Sequence, residues 1–168
     1  MRLLCHLQGI PCGAIVGETN DGESHVWCLV EIDGTPTYVD PTWGDPTYKA
    51  ADASAYGNGI IYDYLCITTE EMYRERTSTV PLESLPLCDS TEYDYYRLEG
   101  LFLEEYGQDA VDGFLAEAVA AGKPSVRFKM GSKEAYDQAL TYLESDEVFE
   151  GALNGLDSVS WYCEDDLY

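Results

Sequence analysis

The stretch His25-Val26-Trp27-Cys28-Leu29-Val30-Glu31-Ile32-Asp33-Gly34-Thr35-Pro36-Thr37-Tyr38-Val39-Asp40 decides the architecture of the front half of the chain. Two β-prone runs flank Asp33-Gly34, a pair suited to a two-residue hairpin turn because both positions tolerate positive φ. Side chains alternate between the faces of a strand. Val26, Cys28, Val30 and Ile32 therefore form one wholly apolar face, the expected core side, while His25, Trp27, Leu29 and Glu31 share the other. Directly paired residues of an antiparallel ladder lie on one face, so burying Val39 with Val30 puts Asp40 on the side of His25. An even loop centred on Asp33-Gly34 gives that parity and sets Asp40 diagonal to His25, about 7–8 Å between backbones. A carboxylate accepting from one imidazole nitrogen fixes the tautomer and leaves the other nitrogen to take a proton from a thiol or hydroxyl. That is the orienting half of a nucleophilic triad. The alternative is a strand-start histidine hydrogen-bonded to a neighbouring acid, with no chemistry attached.

Toward the N-terminus, residues 2–8 read as the last turns of a helix with Leu3, Leu4 and Leu7 on one stripe. Gly9 is the stop and Pro11 blocks continuation. Cys12 to Val16 is of strand length, and Glu18 to Ser24 is a polar loop. Toward the C-terminus, Pro41, Gly44 and Pro46 end the hairpin unit, and residues 48–59 read as a surface loop containing the turn Gly57-Asn58-Gly59. Ile60 to Ile67 is expected to be extended. Thr68 and Glu71 form a capping box that opens a helix through about Arg76. After a connecting segment over 80–90, helices are expected at Glu99–Tyr106 and Asp109–Ala121, and a strand at Ser125–Met130. Ser132 caps a helix with Ala135, Ala139, Leu140 and Leu143 on one face, and a short strand follows within Leu153–Tyr162. The fold class is α+β: an antiparallel sheet of three or more strands in a front part, 1–90, and a mixed α/β extension, 91–168.

The 168 residues carry 32 Asp and Glu against nine Lys and Arg, a formal charge of −23. Such a field repels nucleic acid and anionic membrane surfaces, so neither is an expected partner. Apolar residues at 45% suffice for a core, yet no run approaches a membrane span and Met1 to Leu7 lacks a signal-peptide pattern. The six cysteines, at 5, 12, 28, 66, 88 and 163, show no C-x-x-C pair, and only His6 and His25 could join them on zinc. They read as small buried apolar residues rather than a disulfide framework or metal site. Trp27 and Trp43 are candidates to line a cleft, and Tyr93, Tyr95 and Tyr96 for a surface patch. Glu164, Asp165 and Asp166 lack the spacing of a calcium loop and read as a solvated tail.

The run His25-Val26-Trp27-Cys28, the hairpin, and Tyr38-Val39-Asp40-Pro41-Thr42-Trp43 resemble the transglutaminase-like superfamily of papain-fold thiol enzymes. Its signature is a His-Ala-Trp-Asn strand, a hairpin and a Tyr-x-Asp-x-Thr-Trp strand. Leu3-Leu4-Cys5-His6-Leu7-Gln8-Gly9-Ile10-Pro11-Cys12 is similar to the end of that family's central helix, its Gly-Ile turn and its first strand. The resemblance covers about residues 1–47, with a looser likeness to bacterial members at Tyr64–Thr69 and Leu85–Cys88. It implies a papain-like core within 1–90, His25 as catalytic base, Asp40 as its orienting acid, a peptide or protein substrate, no metal or organic cofactor, and a place outside the cell or in its envelope. Cys28 stands where the family has Asn. The family's nucleophilic Cys opens the central helix, ahead of the position matched by Met1, so the chain as written is expected to be an inactive fragment of a protease, peptide amidase or transglutaminase. The alternative is a non-catalytic relative that binds peptide or protein.

Overall fold

In the computed structural model, which describes residues 1–45, 60–156 and 158–160, Asp33 and Gly34 adopt φ values of +50° and +86°. Positive φ at both central residues is the geometry that matches strand twist in a two-residue hairpin. The turn joins β2 (Ser24–Ile32) to β3 (Thr35–Val39) with Ile32 opposite Thr35 and Cys28 opposite Val39. β1 (Cys12–Thr19) pairs along the other side of β2, from Cys12 opposite Val30 to Glu18 opposite Ser24. The loop expected over Glu18–Ser24 is thus shorter, because Glu18 and Ser24 already pair.

Two three-residue strands complete the sheet. β4 (Leu65–Ile67) lies beside β3 and β5 (Arg76–Ser78) beside β1, giving the antiparallel order β4-β3-β2-β1-β5. Ile60 to Ile67 is therefore only partly extended: Tyr62–Tyr64 makes a 3-10 turn before β4. The capping box forms, with Thr68 Oγ1 accepting from the Glu71 N–H and Glu71 accepting from the Thr68 N–H. The helix it opens, α3 (Thr69–Met72), stops well before Arg76. Beyond it, Arg76-Thr77-Ser78, of which only Thr77 is a strand former, pairs with the edge of β1, and tertiary pairing overrides a weak helical preference.

Both faces of this sheet are covered in part. Cys28, Val30 and Val39 pack with Cys66 on the face that alternation assigned to the core. On the opposite face Trp27 and Tyr38 are fully buried beneath the edge of Tyr73, which follows α3. The wholly apolar face is not a core throughout: Val26 is 48% exposed, as is its partner Val16 at 51%. α1 (Arg2–Leu7) ends before Gly9, whose φ is +75°, but it buries Cys5 and leaves Leu3, Leu4 and Leu7 on the surface. α2 (Pro41–Gly44) follows β3 directly, and α4 (Tyr95–Leu98) ends this unit.

The chain divides between Leu98 and Glu99 into two units. In the second, β6 (Phe102–Leu103) and β7 (Lys129–Met130) pair in parallel around α5 (Gln108–Ala120), followed by α6 (Lys133–Leu143) and α7 (Glu147–Glu150). Its core gathers Val111, Leu115, Tyr142, Leu143, Val148 and Leu153. Ser132 caps α6 by accepting from the Ala135 N–H at 3.2 Å. The helix expected over Glu99–Tyr106 is replaced by the short β6, after Gly100 at φ +70°. The strand expected at Ser125–Met130 reduces to two residues, and the described part of Leu153–Tyr162 holds no strand. Residues 48–59, Cys163 and the acidic tail lie outside the described residues. Among the described residues no helix is long and apolar enough to cross a membrane.

Gly17 is the tightest point of the sheet. It pairs with His25, and a Cβ there would meet the Thr77 carbonyl at 2.1 Å and the Trp27 ring at 2.4 Å. Gly17→Ala is therefore expected to destabilise the first unit by about 1–3 kcal/mol or more. Urea unfolding followed by Trp fluorescence would show the midpoint falling at constant slope. An unchanged midpoint would refute this close packing.

Candidate functional site

The hairpin register brings His25 and Asp40 together. Continuing the ladder past Val39 sets Asp40 opposite Trp27, one diagonal step from His25 on the same face. His25 Nε2 lies 2.6 Å from Asp40 Oδ2. The imidazole keeps 13% of its surface exposed and the carboxylate none. An ionised Asp40 can only accept, so Nε2 carries the hydrogen of this contact, and in a neutral imidazole the lone pair is then on Nδ1.

Asp40 is held by more than the imidazole. It is the N-cap of α2, where Oδ1 accepts from the Thr42 and Trp43 N–H groups at 3.1 and 3.2 Å, with Pro41 at the first helical position. Its own N–H donates to the Tyr64 carbonyl at 2.9 Å. Arg76 Nη2 donates to Oδ2 at 3.0 Å, from a side chain with no exposed surface. The guanidinium lies 3.9 Å from the centroid of the Trp43 ring and 5.0 Å from that of Tyr64. Glu75 is 3.7 Å from Arg76 Nη1 and accepts from the Tyr64 hydroxyl at 3.5 Å.

Aromatic rings enclose the imidazole. Trp27 stacks at 6.3 Å between centroids and Trp43 lies tilted at 5.4 Å. Trp27 has no exposed surface, so it is the floor beneath His25 and not a cleft wall; Trp43 is half-buried and keeps an accessible side. The three tyrosines do not form one patch. Tyr96 is buried and donates to Asp63 at 2.5 Å, Tyr95 stacks on Tyr62 at 3.8 Å, and Tyr93 reaches Asp33 at 3.4 Å.

A thiol nucleophile must be deprotonated. The five described cysteines, Cys5, Cys12, Cys28, Cys66 and Cys88, are free thiols, and burial pushes every one of them up from its ordinary value. Cys66 is pushed to about 11, first by burial and then by the nearby Asp94 charge. Cys28 belongs to the cluster on the face opposite His25. The described thiols thus pack rather than ionise. Among the described residues no group of three or more His, Cys, Asp and Glu side chains is placed to hold a metal ion.

Arg76 and Tyr64 escape a reading of the sequence. The helix expected through Arg76 hides its strand, and neither the pairing of β5 with β1 nor the choice of acid for the guanidinium has a local signal. The sequence matches no protein-family model and no curated protein.

The thiol environment gives a measurable consequence. An unfolded chain ionises Cys66 near 9.0, while the folded chain holds it protonated to about 11. Stability complete below pH 9 is therefore lost as pH rises toward 11. Cys66→Ala is expected to flatten the decline of the urea midpoint between pH 8.5 and roughly 11. An identical slope in both proteins would rule out this linkage.

Proposed function

We propose that His25 and Asp40 are the base and orienting acid of a cysteine-dependent acyl-transfer site of the transglutaminase-like kind. The observation that carries the reading is the 2.6 Å contact between His25 Nε2 and a carboxylate sealed from water, beside an imidazole that solvent still reaches. A helix leading into three antiparallel strands, with the histidine near the start of β2 and the acid just past β3, supports a papain-like core within the first unit. The attacking thiol belongs outside the five described cysteines, whose raised values suit packing.

The chemistry follows from the free Nδ1. It takes the proton of the attacking thiol as sulfur bonds to the carbonyl carbon of a peptide or protein substrate. The resulting imidazolium, stabilised by Asp40, returns the proton to the leaving amine as the C–N bond breaks. Water or another amine then attacks the thioester, with Nδ1 again accepting its proton; the C–S bond breaks and the departing thiolate takes that proton back from the imidazolium. Proteolysis, amide hydrolysis and transamidation share these steps and differ in the acceptor. The sequence uses no cofactor in any of them.

Hydroxamate formation from peptidyl esters and hydroxylamine, followed with the full-length gene product, tests the reading. His25→Ala is expected to lower the rate by about 10²–10⁴-fold, with iodoacetamide abolishing it. Equal rates in wild type and His25→Ala would sink the proposal. No transfer at all, with peptide binding retained by calorimetry, would leave a non-catalytic binding domain instead.

A further inference from the structure

We infer that Arg76 is a positioning residue that supplies the positive charge required by buried Asp40, so that His25 stays neutral and keeps Nδ1 free to accept a proton. The inference rests on the reading of His25 as a base. A carboxylate with no exposed surface needs a compensating charge, and two groups reach its Oδ2: the imidazole at 2.6 Å and the guanidinium at 3.0 Å. The guanidinium is always charged. It is also fixed, sealed from water against the faces of the Trp43 and Tyr64 rings, where cation–π contact holds it in place. Among the described residues, the other charged or titratable groups around the pair include Glu75, 18% exposed at 3.7 Å from Nη1, the Tyr64 hydroxyl bonded to Glu75, Tyr73 against Trp27, and the Cys28 thiol, which feels the Asp40 charge. Glu75 is reached by solvent and Asp40 is not, so Asp40 depends on Arg76 more than Glu75 does.

Without the guanidinium, the nearest group able to neutralise Asp40 is the imidazole, by taking a second proton on Nδ1. An imidazolium cannot serve as a base. Arg76 thus acts through Asp40 on the protonation state of His25.

Side-chain ¹⁵N NMR of labelled histidine at neutral pH reads this directly, with His6→Gln separating the two histidines. The wild type is expected to show Nε2 protonated and Nδ1 unprotonated. Arg76→Met is expected to move the Nδ1 resonance to that of a protonated ring nitrogen at the same pH. Arg76→Lys, which keeps the charge and loses the planar stack, is expected to retain the wild-type pattern. A folded Arg76→Met with the wild-type pattern overturns the inference, and so does Arg76→Lys with both nitrogens protonated. Should Arg76→Met fail to fold, the Lys variant decides alone. The measurement involves no substrate, so failed acyl transfer would remove the base reading of His25 without moving this result, and the reverse holds equally.

Discussion

The Asp40 carboxylate, sealed from water, accepts four hydrogen bonds, from His25, Arg76 and the N–H groups of Thr42 and Trp43. Burying an ion costs several kcal/mol even after relaxation, and removing one partner of a buried pair costs about 3–5 kcal/mol. The arrangement is tolerable because the donors arrive from three separately anchored elements. β2 delivers the imidazole, α2 the two backbone donors, and β5 the guanidinium. Closing the sheet at β5 and satisfying Asp40 are therefore one event: a chain with β5 undocked has a buried carboxylate short of its cation.

A backbone irregularity sets the far side of this arrangement. Opposite Tyr38 the partner is Ile67, but opposite Val39 it is Leu65, so Cys66 is the extra residue of a bulge and takes φ +60°. Left-handed backbone disfavours a residue with a Cβ. The shift carries Tyr64 to Asp40, where its carbonyl accepts the Asp40 N–H and its ring flanks Arg76. The strained residue thus lies two positions from the ring it places, and its thiol enters the cluster of Cys28, Val30 and Val39.

The sequence makes the hairpin and the His25–Asp40 contact legible because both rest on short-range rules. Asp33-Gly34 fixes the turn, the turn fixes parity, and parity chooses the face. What it obscures is set by distant pairing. Alternation marks the face of Val26 and Val30 as apolar, and Cys28, Val30 and Ile32 do pack there, but Val26 is left 48% exposed, while Trp27 is buried on the other face by Tyr73, far along the chain. Leu3, Leu4 and Leu7 show a helical stripe that no described residue covers. Arg76 follows a sound capping box, so its local context points to helix while the open edge of β1 claims it as strand. Its partnership with Asp40 exists only in three dimensions.

The order β4-β3-β2-β1-β5 puts the two shortest strands at the two margins of the sheet. The long central meander would otherwise present two rows of unpaired N–H and C=O groups, templates for joining another chain edge to edge. Two paired residues on the β4 flank and three on the β5 flank shield part of those rows, and Pro36 in β3 removes a donor from the ladder. Both shields come from the single segment 65–78. Proteolytic release of that segment would therefore do more than dismantle the Asp40 cluster: it would bare both margins at once and turn a flanked sheet into a seed for intermolecular β-assembly.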